Sequence, residues 1–67
     1  MAKIQLNGKK VSIKPQSSIY DILKKFRLNN KKVAIELNGT IISNTQYKKK
    51  YLKNNDKLEV VHFIGGG

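Results

Sequence analysis

Hydrophobic and polar residues alternate in the N-terminal part of this chain, which predicts β-strands buried on one face. Residues 3–7 and 11–14 each place aliphatic side chains on one side and polar side chains on the other. The Asn7-Gly8 pair between them predicts a tight turn, because both residue types accept a positive φ. We therefore expect an antiparallel hairpin, which Pro15 ends because proline lacks an N–H donor.

The period of the hydrophobic residues then changes from two to between three and four. One apolar stripe is formed by Ile19, Ile22, Leu23 and Phe26. This spacing predicts a helix over 19–28 that is capped by Ser17 or Ser18 and stopped by Asn29-Asn30. The stripe is expected to pack on the sheet as part of the core.

The two-residue period returns in the second half of the chain. Residues 33–37 predict a third strand, and a turn at Asn38-Gly39 leads to a short strand at 40–42. The polar segment 43–53 is expected to be an irregular crossover that contains a helical turn. Three of its residues are expected to plug one end of the core: Tyr47, Tyr51 and Leu52.

The last ten residues combine a strand with a glycine tail. Residues 58–64 have strand composition, whereas residues 65–67 are all glycine. Three terminal glycines offer no side chain to pack and lose much backbone entropy when ordered. We therefore expect a flexible arm whose one chemical group is the α-carboxylate of Gly67, and we place the function there.

The order of these elements predicts an α+β fold of the β-grasp type. One main helix would cover one face of a mixed four- or five-stranded sheet. In this arrangement the last strand lies in the middle of the sheet, beside the first strand and parallel to it. The predicted organisation is a β-grasp domain over 1–64 and a flexible tail over 65–67.

The parity of the last strand predicts an exposed apolar patch. If Leu58 and Val60 face the helix, then Val61 and Phe63 face the open side of the sheet, together with Ala34 of the third strand. An exposed apolar patch beside a functional group usually marks a docking surface. The alternative is that the crossover buries this face as well.

Composition limits the chemistry available to the domain. The 67 residues include no cysteine and one histidine, so neither a disulfide nor a thiolate or histidine metal site is expected. The net charge is +10, but Arg27 is the one arginine among 14 basic residues. Because arginine is better suited than lysine to bidentate and stacked nucleic-acid contacts, a solvated lysine-rich surface is the favoured interpretation. Such a surface would also associate readily with an acidic partner.

The residues at both ends of the chain resemble the ThiS sulfur carriers of thiamin biosynthesis. Residues 61–67 (Val-His-Phe-Ile-Gly-Gly-Gly), with 55–60 before them, are similar to the end of that family. Similar positions elsewhere are 4–9 (Ile-Gln-Leu-Asn-Gly-Lys), Ile22-Leu23 and 33–38 (Val-Ala-Ile-Glu-Leu-Asn). The resemblance covers essentially the whole chain, which departs from the family in its strong basicity.

The resemblance implies a protein co-substrate and not an enzyme. An adenylyltransferase of the ThiF type would activate Gly67 with ATP and magnesium, and a sulfur donor such as a cysteine desulfurase persulfide would then form a thiocarboxylate. A thiazole synthase of the ThiG type would accept the sulfur. Gly65 and Gly66 would thread the partners' channels. The patch that strand parity predicts, Val61, Phe63 and Ala34, is expected to contact the partners together with Ile64.

The resemblance also implies that the domain itself binds no cofactor or metal and is a monomer alone. No apolar run is long enough to span a membrane and the N-terminal residues lack a targeting segment, so we expect no membrane partner and a location in the cytoplasm or in an organelle that encodes the protein. Three alternatives stay open. The first is a MoaD-like carrier for molybdopterin, and the second is a ubiquitin-like modifier joined to lysines through Gly67. The third is a basic β-grasp module that binds RNA through residues such as Tyr47 and Tyr51.

Overall fold

The computed structural model describes residues 1–28 and 32–62, with the backbone alone at His62. These residues form five strands and one α-helix. In chain order the elements are β1 (Ala2–Leu6), β2 (Lys9–Ile13), α1 (Ile19–Lys25), β3 (Val33–Leu37), β4 (Thr40–Ile42) and β5 (Lys57–His62), with a 3₁₀ turn at Asn44–Gln46 between β4 and β5.

The sheet has the strand order β2-β1-β5-β3-β4, with β5 in the centre. Strand β1 pairs with β5 in parallel, and the other neighbouring strands are antiparallel. This confirms the predicted β-grasp arrangement and gives the sheet five strands. The boundary predicted between a domain over 1–64 and a tail over 65–67 lies outside the described residues and stays a prediction.

The core lies between α1 and one face of the sheet. Its residues come from the alternating positions of the strands and from three residues of the predicted helical stripe, Ile19, Ile22 and Leu23, and Leu52 of the crossover closes one end. The buried apolar residues are Ile4, Ile13, Ile19, Ile22, Leu23, Ile35, Leu37, Ile42, Leu52, Leu58 and Val60.

Helix α1 begins with a capping box formed by Ser18 and Asp21. The Asp21 N–H donates to Ser18 Oγ at 3.1 Å, and the Ser18 N–H donates to Asp21 Oδ2 at 3.0 Å. Of the two serines predicted as the cap, Ser18 is therefore the one used. Hydrogen bonding of the Asp21 carboxyl to Ser18, chiefly to its backbone N–H, holds the pKa of that carboxyl below its ordinary value.

The helix ends earlier than the sequence predicts, so the assignment of Phe26 to the core stripe is wrong. Arg27 takes a φ of 61°, and the N–H groups of Arg27 and Leu28 donate to the carbonyls of Lys24 and Leu23. This is the hydrogen-bond pattern of a Schellman motif, which stops the helix and turns the chain back. Leu28 packs on the core, whereas Phe26 is 36% exposed.

The prediction for Tyr51 is also wrong. Tyr51 is 61% exposed, although Leu52 is buried and Tyr47 packs against the core as predicted. Tyr51 forms an isolated antiparallel bridge with Ser18, so the backbone is extended at this point. Neighbouring residues of an extended segment point to opposite sides, and burial of Leu52 therefore turns Tyr51 outward.

The asparagine of the first hairpin turn holds β5 from one side. Asn7 has a φ of 51°, and its backbone N–H donates to the Leu58 carbonyl at 3.0 Å. Beyond that point β1 no longer pairs with β5, and the Asn7 side chain takes over. The Val60 N–H donates to Asn7 Oδ1 at 2.7 Å, and Asn7 Nδ2 donates to the Val60 carbonyl at 3.3 Å.

The asparagine of the second hairpin turn holds the start of β5 from the other side. Asn38 has a φ of 53°, and its N–H donates to the Lys57 carbonyl, while the Lys57 N–H donates to Asn38 Oδ1 at 2.8 Å. Asn38 Nδ2 donates to Asp56 Oδ1, and the Lys53 N–H donates to Asp56 Oδ2. The Asp56 side chain is buried. The two hairpin turns therefore clamp the central strand between them.

The clamp at Asn7 is tested by replacing it with glycine, which accepts the positive φ but removes the side chain. We expect Asn7→Gly to lower the free energy of unfolding by about 1–3 kcal/mol, because the Val60 N–H and carbonyl lose their partners in a buried part of β5. Urea unfolding measures this change. Hydrogen exchange should accelerate at the Val60 amide, and unchanged exchange there would contradict the clamp.

Gly8→Ala is the matched comparison for this test. It strains the same turn, since Gly8 has a φ of 84°, but it leaves the Asn7 side chain in place. We expect it to lower overall stability without selectively exposing the Val60 amide.

Candidate functional site

The predicted reactive group lies at the end of the chain, beyond the last described residue. Gly67, Gly66, Gly65, Ile64 and Phe63 all fall outside the described residues, so their predicted roles stay predictions. The structure does describe the strand that leads into them. Strand β5 is the central strand of the sheet and ends at His62.

The direction of β5 is fixed by hydrogen bonds to its neighbours on both sides. Strand β3 pairs with it over five residue pairs, from Leu37↔Leu58 to Val33↔His62. Strand β1 pairs with it as far as Leu58, and the Asn7 side chain then binds Val60. Strand β5 is therefore hydrogen-bonded on both flanks as far as Val60, and β3 alone pairs with it from there to His62.

Of the three residues in the predicted apolar patch, Val61 and Ala34 lie on the open face of the sheet, and Phe63 falls outside the described residues. Val61 is 58% exposed and lies directly opposite the partly buried Ala34 in the β3–β5 register. Leu58 and Val60 are buried on the helix side, as the strand parity predicts. The position of Val61 and Ala34 is thus confirmed, while their contact with a partner stays a prediction.

Sequence reasoning missed a further apolar residue on this face. Ile41 of β4 is 75% exposed, whereas its neighbour Ile42 is buried. A signal was available, because two consecutive isoleucines in a strand cannot both face the core. We refer to Val61, Ala34 and Ile41 as the open-face patch.

Two carboxylates lie beside the open-face patch, on the same face of the sheet. Glu36 pairs with Ile41 on one side and with Glu59 on the other, and both glutamates are exposed. Like charges directly opposite one another in a sheet are destabilising. The chain has four acidic residues, and Asp21 and Asp56 serve the helix cap and the turn before β5. Glu36 and Glu59 therefore lie beside the open-face patch, on a face that Lys57 of β5 shares.

Across residues 1–28 and 32–62, no three or more histidine, cysteine, aspartate or glutamate side chains gather into a group that could hold a metal ion. In the same part of the chain, no helix has the length and apolar character needed to cross a membrane. The arrangement offers a contact face beside a strand that leads to the terminal glycines.

Comparison with known proteins identifies the family. The ThiS family model matches residues 4–67. The sulfur carrier protein ThiS of Bacillus subtilis is 43% identical over 65 residues, which are 96% of this chain and 98% of that protein. A thiazole synthase of Magnetococcus marinus is 37% identical over 97% of this chain but only 20% of its own length.

A solved structure shows the same fold. The crystal structure of thiamine biosynthesis protein ThiS from Geobacter metallireducens matches with a TM-score of 0.84 at 24% identity, covering 97% of this chain and 99% of that chain. The likeness of fold agrees with the sequence match, which extends through the terminal glycines. The chain belongs to the ThiS family.

Proposed function

We propose that this protein is a sulfur carrier for thiazole formation in thiamin biosynthesis, with its sulfur held as a thiocarboxylate on Gly67. The observation that carries the proposal is the ThiS family match, which includes the glycine tail at the end of β5. The prediction that the chain is a carrier and not an enzyme is confirmed by its family.

Activation is needed because a carboxylate is a poor electrophile. In the first proposed reaction step, a Gly67 carboxylate oxygen attacks the α-phosphate of ATP, which forms an acyl-adenylate and releases pyrophosphate. The terminal sulfur of the donor persulfide then attacks the acyl carbon, and AMP leaves. A thiol cleaves the resulting acyl disulfide, which releases the thiocarboxylate and leaves the thiol in a disulfide with the donor cysteine. With sulfide as the donor, displacement of AMP gives the thiocarboxylate directly. The activating enzyme must exclude water, since hydrolysis of the acyl-adenylate would simply restore the carboxylate.

The glycine tail suits entry into an enclosed active site. Three residues in extended form span roughly 10 Å, and glycine adds no side chain to the width of the channel. The role proposed for Gly65 and Gly66 is to pass through that channel. The proposed partners are a ThiF-type adenylyltransferase, which uses ATP and magnesium, and a persulfide sulfur donor such as a cysteine desulfurase.

A thiazole synthase of the ThiG type is the proposed acceptor of the sulfur. Support comes from the Magnetococcus marinus protein, in which one fifth of a thiazole synthase resembles this chain. Joining two proteins in one polypeptide raises their effective concentration, which benefits partners that act together. A molybdopterin carrier or a protein modifier would use the same tail with another acceptor, and no described residue favours either.

The open-face patch is the proposed docking surface for these enzymes. Burial of Val61 and Ile41 against an apolar partner surface would stabilise the complex, and Glu36 and Glu59 would be matched by basic groups at its edge. The patch lies on the central and flanking strands, so docking there would bring the end of β5 to the partner.

The proposal is tested by intact-protein mass spectrometry after incubation with a ThiF-type enzyme, ATP, magnesium and a sulfide source. We expect a mass gain equal to replacement of one oxygen by sulfur. Deletion of Gly67 should abolish the gain, and Gly66→Trp should abolish it by blocking the channel. Circular dichroism should show both variants folded, because the described core contains neither residue. No gain with an enzyme proven on its own carrier would contradict the proposal.

The docking surface is tested by a pair of substitutions at Val61. Val61→Thr keeps the β-branched shape but places a hydroxyl in the patch, and we expect the KM of the adenylyltransferase for the carrier to rise about five- to tenfold. Val61→Ile keeps the patch apolar and should leave the KM nearly unchanged. Pyrophosphate release measures both.

Since Val61 is exposed, both variants should unfold within about 0.5 kcal/mol of the parent chain. Equal KM values for the two variants would exclude Val61 from the interface. The unfolding measurement shows whether a rise in KM comes from loss of the fold instead of loss of a contact with the enzyme.

A further inference from the structure

A second surface feature lies on the helix side of the molecule, away from the open-face patch. It is a groove of about 650 Å³ between α1, the start of β3 and the crossover after β4. Its apolar lining is supplied by Leu23, Leu28 and Val33. This volume falls within the range of sites that enclose small ligands or a few side chains of a peptide.

Lysines and tyrosines surround this apolar lining. Lys32, Lys48 and Lys49 line the groove together with Tyr20 and Tyr47. No carboxylate is found among the described residues that line it. The groove therefore combines an apolar floor with a positively charged rim, and a complementary ligand needs both apolar groups and negative charges.

The contacts of the tyrosines argue against nucleic acid as this ligand. Lys48 Nζ lies 4.8 Å and Lys24 Nζ 5.8 Å from the centre of the Tyr20 ring. Ammonium groups at these distances make cation–π contacts and occupy space that a stacking base would need. Tyr47 packs against the core, and burial raises the pKa of its hydroxyl.

The groove opens at the end of the sheet where β5 ends. Val33, which lines the groove, is paired with His62 in the β3–β5 register. A protein that contacts the end of β5 is thus close to the groove as well, although the open-face patch and the groove lie on opposite sides of the sheet. Engagement of both surfaces would raise the affinity through effective concentration.

We propose that the groove is a docking site for an acidic segment of a partner protein, with apolar side chains of the segment on Leu23, Leu28 and Val33 and its carboxylates on Lys32, Lys48 and Lys49. Lysine supplies compact, mobile point charges, which suit carboxylates at varied positions. The site does not depend on the sulfur chemistry, because a segment of this kind binds the groove whether or not Gly67 is modified.

The test is fluorescence anisotropy of the whole chain with a labelled short peptide in which glutamates alternate with leucines. We expect saturable binding, with amide chemical-shift changes confined to the groove residues. Lys48→Glu with Lys49→Glu should weaken the peptide about tenfold or more, because repulsion replaces attraction at the rim. Lys9→Glu with Lys10→Glu alters net charge equally but lies on β2, and this pair should retain most of the affinity.

Other outcomes would overturn the assignment. They are equal loss of affinity in both double variants, equal binding of a peptide with serine in place of leucine, and no binding of the leucine peptide. Tighter binding of single-stranded RNA or of anionic phospholipid vesicles than of the peptide, weakened by Lys48→Glu with Lys49→Glu but not by Lys9→Glu with Lys10→Glu, would assign the groove to another ligand. These measurements require neither ATP nor an activating enzyme, so failure here is distinguishable from failure of the sulfur-carrier function.

Discussion

The fold depends on how the central strand is held by the two hairpin turns. Strand β5 is the last strand along the chain and lies between β1 and β3 in the sheet. Its backbone N–H and carbonyl groups therefore need hydrogen-bond partners on both sides. Asn38 binds its start through Lys57 and Asp56, and Asn7 binds it further along at Val60. Both asparagines also adopt the positive φ that their turns require. Each residue therefore closes a hairpin and anchors the strand that leads to the glycine tail.

This central strand divides the molecule into surfaces of different character. On the open face, the apolar Val61 and Ile41 accompany the exposed carboxylates of Glu36 and Glu59. On the helix side, the groove is rimmed by lysines. The net charge of +10 thus conceals an uneven distribution, because the two acidic residues without a role in a cap or turn share the open face.

Most of the fold could be predicted because alternation and helical periodicity report burial directly. Alternation along β5 predicts that Val60 is buried in the core and that Val61 is exposed on the open face, as the structure shows. Phe26 was misassigned because periodicity does not show where a helix stops, and here Arg27 takes the left-handed conformation usually left to glycine. The clamp was beyond sequence reasoning for a different reason. Asn7 and Val60 are 53 positions apart, so their hydrogen bonds appear only when the strand order is known. The groove likewise joins segments that are distant in sequence.

The central claim is that sulfur carried on Gly67 is delivered to a thiazole ring. The most direct measurement follows a heavy sulfur isotope placed in the terminal thiocarboxylate through a reaction with a ThiG-type thiazole synthase and its other substrates. The claim predicts that the isotope appears in the thiazole and that the carrier returns to its carboxylate mass. Unlabelled thiazole, or release of the isotope as free sulfide with no thiazole formed by an enzyme active with its own carrier, would contradict it.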